Sequence, residues 1–431
     1  MLHLAGYGLK IEDLKNFRQL NSLTPGHPEY GHTKGVDATT GPLGQGLTMG
    51  VGMALAESHL AEKFNTKDFK VIDHFTYILC GDGDLQEGVA QEAISFAGRY
   101  KLNKIILLHD SNDIQLDAPV NVAQIKNGED LSEINKAIEL AKKSDKPTYI
   151  EVKTIIGIGA TKQDLNKKVE QATRVSSQQI FNELSTQIPA IFGGSADLSE
   201  STKIKGLDGN YDFNFKKGRN VMYGVREFAM AGINNGIALH KGLLPVASGF
   251  FVFADYLKPA LRLSSLMNLQ SLYIFTHDSI AVGEDGPTHQ PIEQLAMIRS
   301  IPNISVYRPC DFAETAASYM LAIQDKKTPS VLVLTRQNLV ELEHKDVLND
   351  VKKGAYIIKD NSKAVVSLIA TGSEVKLALD VANLLEKDNI QVKVISMPNQ
   401  NLFDKQDQNY KDQIIDKETK RFSIELSSTF G

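Results

Sequence analysis

Cysteine is scarce. The 431 residues contain two, Cys80 and Cys310, without metal-ligand spacing around either, so no disulfide is expected and two free thiols suit a reducing compartment. A basic excess is also missing: 47 lysines and arginines stand against 52 acidic residues, and the cations are scattered, which gives no footprint for nucleic acid. No run approaches the ~18 apolar residues of a spanning helix, so no membrane partner is expected. The opening Met1 to Gly6 has no basic region and too short an apolar core for a signal peptide. A cytoplasmic location is the expectation.

What is present describes an ordinary soluble globular chain, 42% apolar and 23% charged, with room for two or three domains. Apolar strand-like runs alternate with longer helical patterns: a helix over Leu47–Phe64, a strand over Phe75–Cys80, a helix over Leu85–Leu102 and a strand over Ile105–His109. A helix over Leu131–Lys142 and a strand over Thr148–Ile155 follow. This rhythm predicts an α/β fold of consecutive parallel-sheet domains with helices on both faces. Residues 1–159 form the first domain, and the polar, lysine-rich stretch 160–172 reads as a linker. A second α/β set fills 173–354, and a third, incomplete one occupies 355–431.

Gly81-Asp82-Gly83 ends an apolar strand, and Asn112 ends the next. Both oxygen ligands therefore lie at carboxyl ends of strands, where parallel sheets place ligands. A hard cation such as Mg2+, with Ca2+ or Mn2+ as alternatives, takes oxygen donors that Asp82, Asn112 and the Ile114 carbonyl supply. The glycines let backbone amides approach a diphosphate at a helix start. A Gly-Asp-Gly turn alone is commonly just a turn; the downstream asparagine carries the argument. A second glycine-rich loop, Gly41 to Gly46, opens the Leu47 helix and can face the same anion.

Thr24-Pro25-Gly26-His27-Pro28-Glu29, Thr40 to Gly46, Gly81-Asp82-Gly83 with Glu87-Gly88, Gly224-Val225-Arg226-Glu227-Phe228 and Gly283 to Pro291 occur in that order. Together they resemble the transketolases, over nearly the whole chain. The resemblance implies thiamine diphosphate as cofactor, a coenzyme that carries out the carbonyl addition itself and leaves the protein to activate it and hold substrates. It implies transfer of a two-carbon ketol unit from a ketose phosphate, such as xylulose 5-phosphate, to an aldose phosphate, such as ribose 5-phosphate or erythrose 4-phosphate. It also implies a homodimer with active sites at the subunit interface.

By the same resemblance Glu227 is the carboxylate that activates the aminopyrimidine, with Glu87, and less strongly Glu92, communicating with it. Gly41, Leu43, Gly83 and Asp197 contact the cofactor, and Phe250, Phe253 and Tyr256 surround its aminopyrimidine. Arg174, Ser201, His277 and Arg336 are expected at the substrate phosphate. His27 and His289 handle hydroxyl and carbonyl oxygens, and Asp285 reads a hydroxyl's configuration.

Several family segments have no counterpart: two early histidines, a loop and helix after Val120, a histidine-bearing loop after Gly159, and the end of the third sheet. True deletions of buried elements expose large apolar faces, so loops absent from the sequence given are the favoured explanation. A break between Val120 and Asn121 is its expected mark. Deoxyxylulose-phosphate synthase and dihydroxyacetone synthase share the chemistry, but His27 and the Glu284-Asp285-Gly286 context favour transketolase. A catalytically silent or regulatory homologue is the alternative from another class.

Overall fold

The computed structural model describes residues 2–19, 21–110, 121–125, 148–152, 170–283 and 285–429, with backbone alone for Asp82, Asp110 and the residues of 121–125 and 148–152. The chain divides into two units, one of Met1–His109 with Val169–Gly431 and one of Asp110–Lys168. Within the smaller unit, strands Asn121–Ile125 and Thr148–Val152 pair in parallel, Asn121 opposite Thr148. The expected helix over 131–142, the linker up to residue 169, Asn112, Ile114, Val120 and Glu284 lie outside the described residues.

In the larger unit six strands form one parallel sheet, in the order Asn220–Met222, Ile191–Ser195, Leu244–Phe250, Leu272–Thr276, Ser330–Leu334, Ser305–Tyr307. Its strands are buried because both faces are covered, and alternate residues serve opposite cores. Leu272, Ile274, Leu332 and Leu334 pack with Phe181 and Tyr319. Tyr273, Phe275, Val331 and Val333 pack with Ile237, Phe251 and Leu257 on the other face.

The helices Gln45–Phe64 and Glu227–His240 lie backbone against backbone. A Cβ at Gly236 would stand 1.9 Å from the Met49 carbonyl oxygen, and one at Gly52 would stand 2.0 Å from that of Ile233. This contact fixes the helix that Glu227 begins against the chain's first long helix.

A four-stranded sheet follows, ordered Tyr356–Lys359, Val392–Ser396, Val366–Ala370, Lys420–Ile424; its first pair is antiparallel and the others parallel. The two outer strands escape the sequence reading. Tyr356–Lys359 is too short for periodicity to separate it from a loop, and Lys420–Ile424 is a largely exposed edge strand with little apolar signal. The helix expected over Leu85–Leu102 is two pieces, Asp82–Gln86 and Gly88–Arg99, because Glu87 is extended at φ −66°, ψ 130°. The 15-residue helix Thr173–Gln187, largely polar, has no counterpart among the elements expected from the sequence.

Candidate active site

The carboxyl ends of neighbouring strands of the six-stranded sheet carry four of the expected residues: Asp197 beyond Ile191–Ser195, Phe250 at the end of Leu244–Phe250, His277 beyond Leu272–Thr276 and Arg336 beyond Ser330–Leu334. A parallel sheet collects functional groups along this edge. Asp197 and His277 both hold left-handed backbone, φ 61° and 62°, a conformation that costs non-glycine residues about 1 kcal/mol or more and concentrates at functional sites.

An aromatic cluster sits on this edge. Phe250 is the last residue of its strand, not the start of a helix, and a 3-10 turn over Phe251–Phe253 leads into the helix Ala254–Leu266. The Phe250 ring lies 3.7 Å from that of His277 and 6.2 Å from that of Phe253, which in turn is 5.4 Å from His289 and 6.1 Å from Tyr256. Tyr256 remains 65% exposed, so the cluster has an open aromatic face able to take a flat heterocycle.

Beside it is a cationic pocket. Burial first, then Arg174, Arg336 and His289, push the His277 imidazole down to about 3, so it is neutral across the physiological range. Its Nδ1 shares a 2.8 Å hydrogen bond with Thr276 Oγ1. Arg174 is itself depressed by burial and by Arg336, with Asp285 opposing. One Arg174 nitrogen, Nη1, donates to the Ser201 carbonyl at 2.8 Å, and the buried Nε has no hydrogen-bond partner among the described residues. Ser201 therefore orients Arg174 through its backbone. An orphaned guanidinium N–H beside a second arginine fits a phosphate.

Glu227 begins its helix half-buried, and burial raises its carboxyl, with further contributions from Glu92 and Asp197. Glu92 is raised by burial and accepts a 3.0 Å hydrogen bond from the Ala229 N–H. Within one chain Glu92, more than Glu87, reaches this helix start; Glu87 is exposed and borders Gly44.

In the first domain the two glycine loops meet. Asp84 accepts from the backbone N–H groups of Gly44 at 2.8 Å and of Gly81 at 2.9 Å, tying the 41–46 loop to the 81–84 turn. A Cβ at Gly83 would crowd Leu43 at 3.2 Å, and the His27 ring packs on Gly41. His27 thus lies against Gly41 and Leu43 against Gly83, on the two loops that Asp84 joins. Sequence reasoning missed Asp84, although a carboxylate three residues into a Gly-Asp-Gly turn is a capping signal.

Family models described as the transketolase thiamine diphosphate binding domain, the transketolase pyrimidine binding domain and the transketolase-like C-terminal domain match residues 1–180, 169–341 and 354–431. The fold and its clusters define a thiamine-diphosphate-type α/β transferase. The transketolase of Streptococcus pyogenes is 46% identical over all of this chain and 74% of its own length, and that of Bacillus subtilis 42% identical over all of this chain and 82% of its own. The aligned stretch of 541 residues in the former exceeds the 431 here, so the relative carries residues between matched segments that this sequence lacks. Solved transketolases from Leishmania mexicana and Campylobacter jejuni superpose with TM-scores of 0.86 and 0.82 at 34% and 38% identity; they cover 100% and 99% of this chain, which spans 80% and 81% of theirs. A Pichia stipitis transketolase solved with sedoheptulose 7-phosphate superposes at 0.85, with 34% identity over all of this chain and 81% of that one. The chain belongs to the transketolase family, enzymes that transfer a two-carbon ketol unit between sugar phosphates, and the fold and transferase activity expected from the sequence stand.

Proposed function

We propose that ketol transfer takes place along the carboxyl edge of the six-stranded sheet, with Glu227 as the activating acid and the His277 pocket as the phosphate site. The observation that carries this reading is the convergence of Arg174, Arg336, His277, His289 and Asp285 beside an open aromatic face. Thiamine diphosphate, when bound, supplies the carbon nucleophile of the reaction. Phe250, Phe253 and Tyr256 would receive its aminopyrimidine, and the half-buried Glu227 holds a proton for that ring. Gly41, Leu43, Gly83 and Asp197 would border the remainder of the coenzyme. Mg2+, with Ca2+ or Mn2+ as alternatives, would accompany the diphosphate with Asp82 as a ligand; the other expected ligands, Asn112 and Ile114, lie outside the described residues.

Arg174 and Arg336 hold the substrate phosphate, and Ser201 serves by aiming Arg174. Neutral His277 offers a hydrogen bond without adding charge. His289 and His27 meet hydroxyl and carbonyl oxygens, and Asp285 faces a hydroxyl. Glu87 faces the partner subunit, while Glu92 supports Glu227 within the chain.

A homodimer accompanies this reading, because exposed apolar groups border both clusters: Leu43 at 51%, Val225 at 72% and Tyr256 at 65%. Sugar phosphates such as xylulose 5-phosphate and ribose 5-phosphate are the substrates, which places the enzyme in the pentose phosphate pathway of the cytoplasm. Among the described residues no helix is long and apolar enough to cross a membrane. Turnover of xylulose 5-phosphate with ribose 5-phosphate, compared with pyruvate plus glyceraldehyde 3-phosphate, tests the proposal. Product from the second pair alone would favour a deoxyxylulose-phosphate synthase, and none from either a silent homologue.

A further inference from the structure

Arg308 follows the strand Ser305–Tyr307 and is 1% exposed, with its charge met from two domains. Toward the second domain it donates to Asp278 Oδ2, from Nη2 at 2.7 Å and from Nε at 3.1 Å. Toward the C-terminal domain Nη1 donates to Thr371 Oγ1 at 2.8 Å, to the Thr371 carbonyl at 3.1 Å and to the Glu374 carboxylate. Glu425 extends the chain of contacts: its Oε1 accepts from Thr371 Oγ1 at 2.5 Å, and its two oxygens clasp Arg299 at 2.8 and 2.9 Å. Asp278 is the residue after His277, which keeps its left-handed backbone at that point.

The same C-terminal segment reaches the other histidine loop. The carbonyl of Ile292, three residues beyond His289, accepts from the Ser428 N–H at 2.8 Å and from Ser427 Oγ at 3.0 Å. Two loops that carry substrate-facing imidazoles are therefore pinned by one segment, 425–428, and one buried arginine. Simple adhesion between domains needs no ion pair adjoining His277, and a buried charge network is a poor source of net stability but holds geometry closely when every partner is present.

We propose that Asp278, Arg308 and Glu425 are positioning residues through which the C-terminal domain sets the His277 and His289 loops for the phosphosugar. This rests on the phosphate-site reading of His277 given above. None of the three meets substrate directly; they fix the distance between His277 and the two arginines.

The test is calorimetric titration of ribose 5-phosphate into the full chain with thiamine diphosphate and Mg2+ present, alongside melting temperatures. Asp278→Asn, nearly isosteric, is expected to raise Kd about 10-fold or more, because displacements of an ångström are costly in a preorganised site. Glu425→Gln, at a partly exposed position, is milder and serves if Asp278→Asn fails to fold; its expected rise is about 3-fold. Combining Asp278→Asn with Arg308→Gln restores a neutral hydrogen-bonded pair and should recover part of the affinity. A role confined to stability lowers the melting temperature and leaves Kd unchanged in the folded protein. Kd within twofold of wild type in both single variants, with His277→Ala still weakening binding, overturns the inference alone. Unchanged Kd in His277→Ala, or no binding by the wild type, overturns the phosphate-site reading and the inference with it.

Discussion

The carboxylate of Glu92 accepts a 3.0 Å hydrogen bond from the backbone N–H of Ala229, in the first turn of the helix that Glu227 begins. One acid thus anchors the helix start that presents the other, and its negative charge adds to the burial that raises Glu227. Glu92→Gln keeps an acceptor for Ala229 and removes the charge. The Glu227 carboxyl is then expected to fall toward its ordinary range, and the alkaline limb of the pH–activity profile, where Glu227 loses the proton it holds for the ring, to move to lower pH. An unmoved limb would show that burial alone sets Glu227.

Stability should carry the same signature. Glu227 is raised in the folded chain, so the unfolded chain loses its proton first as pH increases, and stability drops between the unfolded value of ~4.3 and the higher folded one. Glu227→Gln is expected to melt higher than wild type above this window and equally below it. A melting difference independent of pH contradicts this assignment.

His277 behaves in the opposite direction. Its folded value of about 3 lies below the unfolded ~6.5, so the unfolded chain gains a proton first and stability is lost as pH falls between the two. His277→Asn should flatten that slope. Burial is the largest cause of the depressed imidazole and persists when a phosphate occupies the pocket, so sugar phosphate binding at pH 6 should show no difference in proton uptake between wild type and His277→Asn. Titration in buffers of different ionisation enthalpy checks this.

Gly236 has no space for a methyl group, since its Cβ would lie 1.9 Å from the Met49 carbonyl oxygen. Gly236→Ala should cost about 3 kcal/mol of stability, at the upper end of overpacking effects. Gly88, where an added Cβ meets nothing within 4 Å, is the control: Gly88→Ala should change stability by under about 1 kcal/mol. Denaturant melts of both variants check the contrast.

Asp82→Ala is expected to remove the magnesium dependence of thiamine diphosphate binding. Titration of the coenzyme with and without Mg2+ measures this, and an unchanged Mg2+ effect places the metal elsewhere.

The parallel architecture was legible because buried strands such as Leu272–Thr276 carry apolar runs between helical patterns. Edge strands such as Lys420–Ile424 were not, since half-exposed residues leave no periodic trace. The aromatic and histidine groups were legible as family blocks at strand ends. Asp84 and Arg308 were not, because each acts through contacts made only on folding: Asp84 spans 40 residues to Gly44, and Arg308 spans 66 to Glu374. Arg308 resembles any surface arginine until four polar partners close around it.

The role of Glu227 is tested most directly by hydrogen–deuterium exchange at the thiazolium carbon of bound thiamine diphosphate, followed by quenched-flow NMR. Glu227→Ala should still bind the coenzyme with Mg2+ yet exchange about 100-fold or more slowly than wild type. Equal exchange rates at full coenzyme occupancy would contradict the assignment.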